Sequence, residues 1–152
     1  MRAVVQRVKN AKCTAHGNVT GAIDSGLLVY FGVEKDDEES LIEPIIDKII
    51  NMRIFPDENY KMNLSIKDLN QAILFISQFT LCANVFRGNR PSFDNAKKSD
   101  EAKAFYEKGI ELLRRKGIKT EVGEFGAHME LEYLNDGPIT FIVDSRDMKK
   151  KK

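Results

Sequence analysis

Gly26-Leu-Leu-Val-Tyr-Phe-Gly-Val33 is the stretch on which the fold turns. From Leu27 to Val33 the run is continuously apolar, without the alternation of a strand that keeps one face in water. It therefore predicts a central strand covered on both faces. Ala72 to Phe79 returns to the same pattern and ends in the polar group Ser77-Gln78-Phe79-Thr80.

Working outward toward the N-terminus, Ala3 to Val8 and Lys12 to His16 read as two short strands. The second alternates Ala11, Cys13 and Ala15 against Lys12, Thr14 and His16, with Gly17-Asn18 and Gly21 as punctuation. In the other direction an acidic turn, Glu34 to Glu39, leads to Ser40 as the cap of a first helix. Its apolar residues Leu41, Ile42, Ile45, Ile46, Ile49 and Ile50 recur at helical spacing, and Pro44 falls early enough to be tolerated near the first turn. Arg53 to Phe55 reads as a short strand followed by a loop through Pro56-Asp57 and Asn59.

Ser99 is expected to cap a second helix, with Asp100 and Glu101 at its positive end, Ala102, Phe105, Tyr106, Leu112 and Leu113 along one side, and Gly117 as its stop. Strands are expected at Lys119 to Glu124, His128 to Tyr133 and Ile139 to Asp144. This order predicts an α+β (mixed α/β) domain with a largely antiparallel sheet and two main helices, a single domain over residues 1–148. Lys149 to Lys152 reads as a solvated lysine-rich tail.

With 152 residues, 42% hydrophobic and 31% charged, the chain can bury one core and would struggle to bury two. Net charge is +1, which excludes a globally basic nucleic-acid binder and leaves only local basic clusters for that purpose. No apolar run approaches the roughly 20 residues of a membrane helix. The chain enters a strand pattern directly after Met1, without the features of a secretory signal, so a cytoplasmic protein is expected. Cys13 and Cys82 lack CxxC spacing and read as reduced thiols. His16 and His128 are too few for a histidine-rich metal site, although counts alone leave a carboxylate site open.

Two segments place polar groups where the chain must turn. Ser77 to Thr80 ends a buried strand with two hydroxyls and an amide, but a hydroxyl nucleophile needs a positioned base and neither histidine carries a triad signature. Taken alone, Ser77 and Thr80 read as groups that satisfy backbone atoms at a strand end. Asn135-Asp136-Gly137-Pro138-Ile139-Thr140 alone reads as an ordinary turn. Leu81 to Asp94 is a long irregular connection of the kind that is functional in a compact domain.

Together these segments form a pattern: Ser-Gln-Phe-Thr-Leu at 77–81, Gly-Asn-Arg-Pro-Ser-Phe at 88–93, Phe-Gly-Ala-x-Met at 125–129, and Asn-Asp-Gly-Pro-Ile-Thr at 135–140. With Arg2 to Val8, Gly26 to Val29 and Arg53-Ile-Phe55, they span nearly the whole chain, which resembles the D-aminoacyl-tRNA deacylase family of the bacterial and eukaryotic type. Two departures are modest. Asn59-Tyr60-Lys61 stands where the family usually has a glycine before the lysine, and His128 fills a variable position before Met129.

The resemblance implies a hydrolase that cleaves the ester joining a D-amino acid, and also glycine, to the terminal adenosine of tRNA. It implies a homodimer in which the Gly137-Pro138 bond is cis and each such motif enters the partner's active site. Backbone amides around Gln78, Phe79 and Thr80, with Ser77, would form the catalytic segment, and Thr80 would position rather than attack. Gly137 and Pro138 would bind the substrate's amino group through their carbonyls and exclude an L side chain. Met129 would line the pocket beside them, and Arg7 would brace Gln78 or the Gly-Pro segment. Arg87 and Arg90, with Lys97 and Lys98, would meet the tRNA acceptor end. No cofactor or metal is implied. A noncatalytic tRNA- or RNA-binding protein is the rival from another class, and an L-selective deacylase with a trans Gly-Pro bond is the rival within it.

Overall fold

The computed structural model describes residues 1–148, so the lysine tail lies outside the described residues. The chain runs β1 (Arg2–Ala15), β2 (Asn18–Ile23), β3 (Gly26–Gly32), α1 (Ile42–Asn51), β4 (Phe55–Pro56), β5 (Met62–Leu64), α2 (Ile66–Leu69) and β6 (Ala72–Ser77). It continues through α3 (Ser99–Arg115), β7 (Lys119–Val122), β8 (Met129–Asp144) and α4 (Ser145–Met148). Six strands form one sheet in the order β2-β1-β3-β6-β7, with β8 on the other edge of β1. β1 pairs antiparallel with β2, β3 and β8, whereas β6 is parallel to both β3 and β7. The sheet is therefore mixed, its parallel half arising from the crossovers that carry α1 and α3.

β3 is the covered central strand that its unbroken run predicts. Leu27, Val29 and Phe31 face α1 and α3 together with Ile73 and Phe75 of β6, in the larger core. Leu28, Leu74 and Ile76 face the other way, onto Val8, Ala11, Cys13 and Ile23. β2 closes this second face against β7: a Cβ on Gly21 would stand 2.7 Å from the Val122 carbonyl oxygen. Gly21 is thus a contact point inside β2, where the sequence reading made it punctuation.

Four other expectations change. The two N-terminal strands are one strand: burial shifts parity between Val5, Val8 and Ala11, and irregularities in the pairing with β8 at these points carry the strand past exposed Lys9 and Asn10. The last two strands are likewise one, since the Gly137-Pro138 corner interrupts β8 without ending it. Ser40 lies inside a short 3-10 turn, and Leu41 occupies the cap position of α1 without a side-chain cap bond. Lys98, not Ser99, is the cap position of α3. α2 escaped the sequence reading, although Ser65 and Asp68 form a reciprocal capping box at its start.

Phe75 joins the layers. Its ring stacks on Tyr106 of α3 at 5.3 Å and tilts against Phe31 at 5.1 Å, and the Tyr106 hydroxyl donates to the Phe75 carbonyl at 2.6 Å. Tyr106→Phe removes this buried bond and leaves the ring packing intact. A loss of about 1 kcal/mol in stability is expected, read as a lower urea midpoint with unchanged slope.

Candidate active site

β3 and β6 lie side by side and parallel, so their carboxyl ends open at the same edge of the sheet, the usual place for a ligand in a parallel arrangement. A cavity of about 550 Å³ opens there. It is lined by Ser77, Gln78 and Phe79 at the end of β6 and by the 125–129 segment including His128 and Met129, and Phe31, Ile76 and Tyr106 contribute apolar surface. The volume falls within the range of small-molecule sites.

At the strand end the chain makes a 3-10 turn, Phe79–Cys82, with Gln78 at its cap position. Gly32 makes this approach possible, because a Cβ there would meet the Gln78 carbonyl oxygen at 2.8 Å and Cys82 Sγ at 3.2 Å. The Gln78 N–H donates to the Phe31 carbonyl at 2.9 Å. It is thereby removed from the set of amides expected to polarise a substrate. The Phe79 and Thr80 N–H groups start the turn and have no backbone acceptor among the described residues. Phe79 lines the cavity and Thr80 follows it in the turn, and two neighbouring free donors of this kind can stabilise a developing oxyanion.

Thr80 donates its hydroxyl to Gln78 Oε1 at 2.7 Å, a partner that is no base. Among the described residues neither histidine bonds to Ser77 or Thr80; His16 faces Glu124 at 3.6 Å, and His128 lines the cavity on the 125–129 segment. Cys82 offers no nucleophile either, since burial pushes its thiol up to about 11. Tyr30, also on the wall, is held neutral, with burial and then the hydrogen bond to Tyr133 raising its phenol well above the ordinary value.

Gly137 and Pro138 are exposed and do not line this chain's cavity, and the bond between them is cis. The corner is held from both sides. Asn135 Nδ2 donates to the Arg7 carbonyl at 3.0 Å and to the Ile139 carbonyl at 3.1 Å, while Arg7 Nε lies 3.1 Å from Asp136 Oδ2 and its Nη1 donates to the Ile54 carbonyl at 2.8 Å. Arg7 therefore contacts the Gly-Pro segment and not Gln78. The Thr140 hydroxyl donates to the Pro138 carbonyl at 3.2 Å and accepts from Gln6 Nε2 at 3.1 Å, which aims that carbonyl. Exposed Tyr133, Leu134, Phe141 and Ile142 flank the corner along β8.

Met129 lines the cavity, but its own chain's Gly137-Pro138 is not beside it there. Arg87 and Arg90 stand exposed in the 84–92 loop. Lys97, grouped with them from sequence, is instead committed: its ammonium donates to the Lys35 carbonyl at 2.8 Å and lies 4.9 Å from the Phe105 ring centre. The sequence reading missed Gly32 and Tyr30 as parts of the site. The glycine's only signal was its place at the end of an apolar run, and nothing local marks the tyrosine.

The chain is similar to known proteins over nearly its whole length. A family profile described as D-Tyr-tRNA(Tyr) deacylase matches residues 4–144. A D-aminoacyl-tRNA deacylase of Thermotoga petrophila is 53% identical, over 95% of this chain and 97% of its own, and one of Thermosipho africanus is 49% identical over 96% and 98%. The solved structure titled c-Myc DNA Unwinding Element Binding Protein superposes with a TM-score of 0.89 at 38% identity, covering 95% of this chain and 98% of its own. These likenesses make the protein an enzyme of the deacylase class. Within that class the chain belongs to the D-aminoacyl-tRNA deacylase family.

Proposed function

We propose that the protein hydrolyses the ester between a D-amino acid and the 3′-terminal adenosine of tRNA, freeing the tRNA for correct charging in the cytoplasm. The observation that carries this reading is the pair of unpartnered amides, Phe79 at the cavity wall and Thr80 next to it in the turn, with no histidine bonded to Ser77 or Thr80 among the described residues. An aminoacyl ester is already activated, and its neighbouring ribose hydroxyl can assist. Positioning the carbonyl and stabilising the oxyanion then suffice.

The active unit is a homodimer in this reading. The exposed apolar residues on both sides of the Gly137-Pro138 corner supply surface for a second copy, and the corner then enters the partner's cavity. There the Gly137 and Pro138 carbonyls hold the substrate's amino group and leave no room for an L side chain. A backbone wall rejects every L side chain alike, accepts varied D side chains that point outward, and admits glycine. Arg87 and Arg90 contact the phosphates of the acceptor end.

The test is release of amino acid from matched D-tyrosyl-tRNA and L-tyrosyl-tRNA at fixed salt, with and without a chelator. Selective release of D-tyrosine is expected. Preference for L would overturn the chiral assignment, and tight tRNA binding without turnover would favour a binding protein. Thr80→Ala should keep single-turnover activity within about tenfold of wild type, the scale of one lost positioning hydrogen bond. A loss of several orders of magnitude in a folded variant would make Thr80 the nucleophile.

A further inference from the structure

Phe86 is 94% exposed, the most exposed of the large hydrophobic side chains, and the tRNA reading as it stands gives it no task. It lies in the 84–92 loop together with Val85, 58% exposed, and immediately before Arg87. The loop is pinned at its base. Asn84 and Ser92 exchange backbone hydrogen bonds of 2.8 and 3.0 Å, and the Phe86 N–H donates to Asn84 Oδ1 at 3.0 Å. The ring thus projects from a defined turn, no more than about 7 Å along the chain from Asn84.

Both ends of the loop are rooted at the cavity. Its N-terminal side continues from the 3-10 turn that carries Phe79, and its C-terminal side begins with Phe93, whose ring meets Phe79 edge-on at 5.0 Å. Ala96 and Lys97, a few residues further, line the cavity itself. Arg87 and Arg90 have no ion-pair partner among the described residues. A lone aromatic next to two uncommitted guanidinium groups matches single-stranded nucleic acid, whose bases stack on aromatic rings while its phosphates seek positive charge.

We propose that Phe86 is a base-stacking residue for the unpaired nucleotides that precede the terminal adenosine of the tRNA, with Arg87 and Arg90 holding the adjoining phosphates. This rests on the tRNA reading above and extends it from the esterified adenosine to the strand behind it. An ester on adenosine alone cannot reach this contact.

The test compares wild type, Phe86→Ala and Phe86→Trp on D-tyrosyl-tRNA and on the minimal ester D-tyrosyl-adenosine. Binding of uncharged tRNA with 2-aminopurine next to its terminal adenosine is measured in parallel. Phe86→Ala should raise KM for the tRNA ester and Kd for the labelled tRNA by about 5- to 100-fold, the scale of one lost stacked base, with kcat and minimal-ester hydrolysis unchanged. Phe86→Trp should restore both, and wild type should quench the 2-aminopurine while Phe86→Ala does not. Equal tRNA affinity for wild type and Phe86→Ala would overturn the proposal, as would equal losses on the minimal ester. If wild type hydrolyses neither ester, the deacylase reading fails, and stacking is still decided by the binding and quenching arms.

Discussion

Gly137→Ala is expected to lower kcat/KM for D-tyrosyl-tRNA by at least about 100-fold, which corresponds to about 2.7 kcal/mol of transition-state stabilisation. The cause is local. Gly137 has φ +125°, and a Cβ there would stand 2.5 Å from Ile139 Cγ1 and 2.9 Å from the Ile139 nitrogen. The corner must shift, yet Asn135 and Arg7 fix both of its ends, so the displacement falls on the Gly137 and Pro138 carbonyls. Because the corner is exposed, the fold should lose no more than the about 1–3 kcal/mol of a strained backbone residue.

A mixing experiment separates action in cis from action across subunits. Gly32→Ala damages the cavity side by displacing the turn after Gln78, and Gly137→Ala damages the corner. If each site takes its cavity from one subunit and its corner from the other, a mixed dimer of the two variants has one intact site, and about a quarter of wild-type activity returns on random subunit exchange. A folded, fully active Gly137→Ala variant would remove the corner from the working site altogether.

Gly26→Ala is expected to have the largest effect on stability, at least about 4 kcal/mol, a large share of the 5–15 kcal/mol typical of a domain. Gly26 pairs with Val8 of β1 on one side and Ala72 of β6 on the other, where the antiparallel and parallel halves of the sheet meet. A Cβ there would lie 1.9 Å from the Ala72 carbonyl oxygen, a backbone atom that cannot move without separating β3 from β6. Gly17→Ala is the comparison. Gly17 has φ +78° but nothing within 4 Å of an added Cβ, so only the conformational cost of about 1–2 kcal/mol should appear. Urea midpoints measure both; a Gly26→Ala protein as stable as Gly17→Ala would show that the two strands can separate there freely.

The elements most legible in the sequence were those whose burial is periodic or unbroken. The run in β3 and the isoleucines of α1 announce covered faces because each side chain meets the core through its own spacing. The strand breaks inferred at Lys9-Asn10 and at Gly137-Pro138 failed for the opposite reason. There the local residues favour leaving a sheet, and pairing between β1 and β8 over almost their full length carries the strands through.

The site divides in the same way. The Ser77 to Thr80 and Asn135 to Thr140 segments each read alone as an ordinary strand end and an ordinary turn, and only their joint order with the 88–93 and 125–129 segments, through the family resemblance, singled them out. Which of their atoms are free could not be read from sequence. Phe31 captures the Gln78 amide and leaves those of Phe79 and Thr80, Arg7 reaches Asp136 rather than Gln78, and Lys97 turns away to Lys35 and Phe105. The sequence alone determined the α+β class of the fold, since covered faces follow from neighbours along the chain, while the segments proposed to carry its chemistry stood out through their joint pattern. Only the tertiary structure decided which donors are left without a backbone acceptor and which residues of β8 stay exposed, because a hydrogen bond or a covered face depends on partners that are distant in sequence and meet only when the sheet closes.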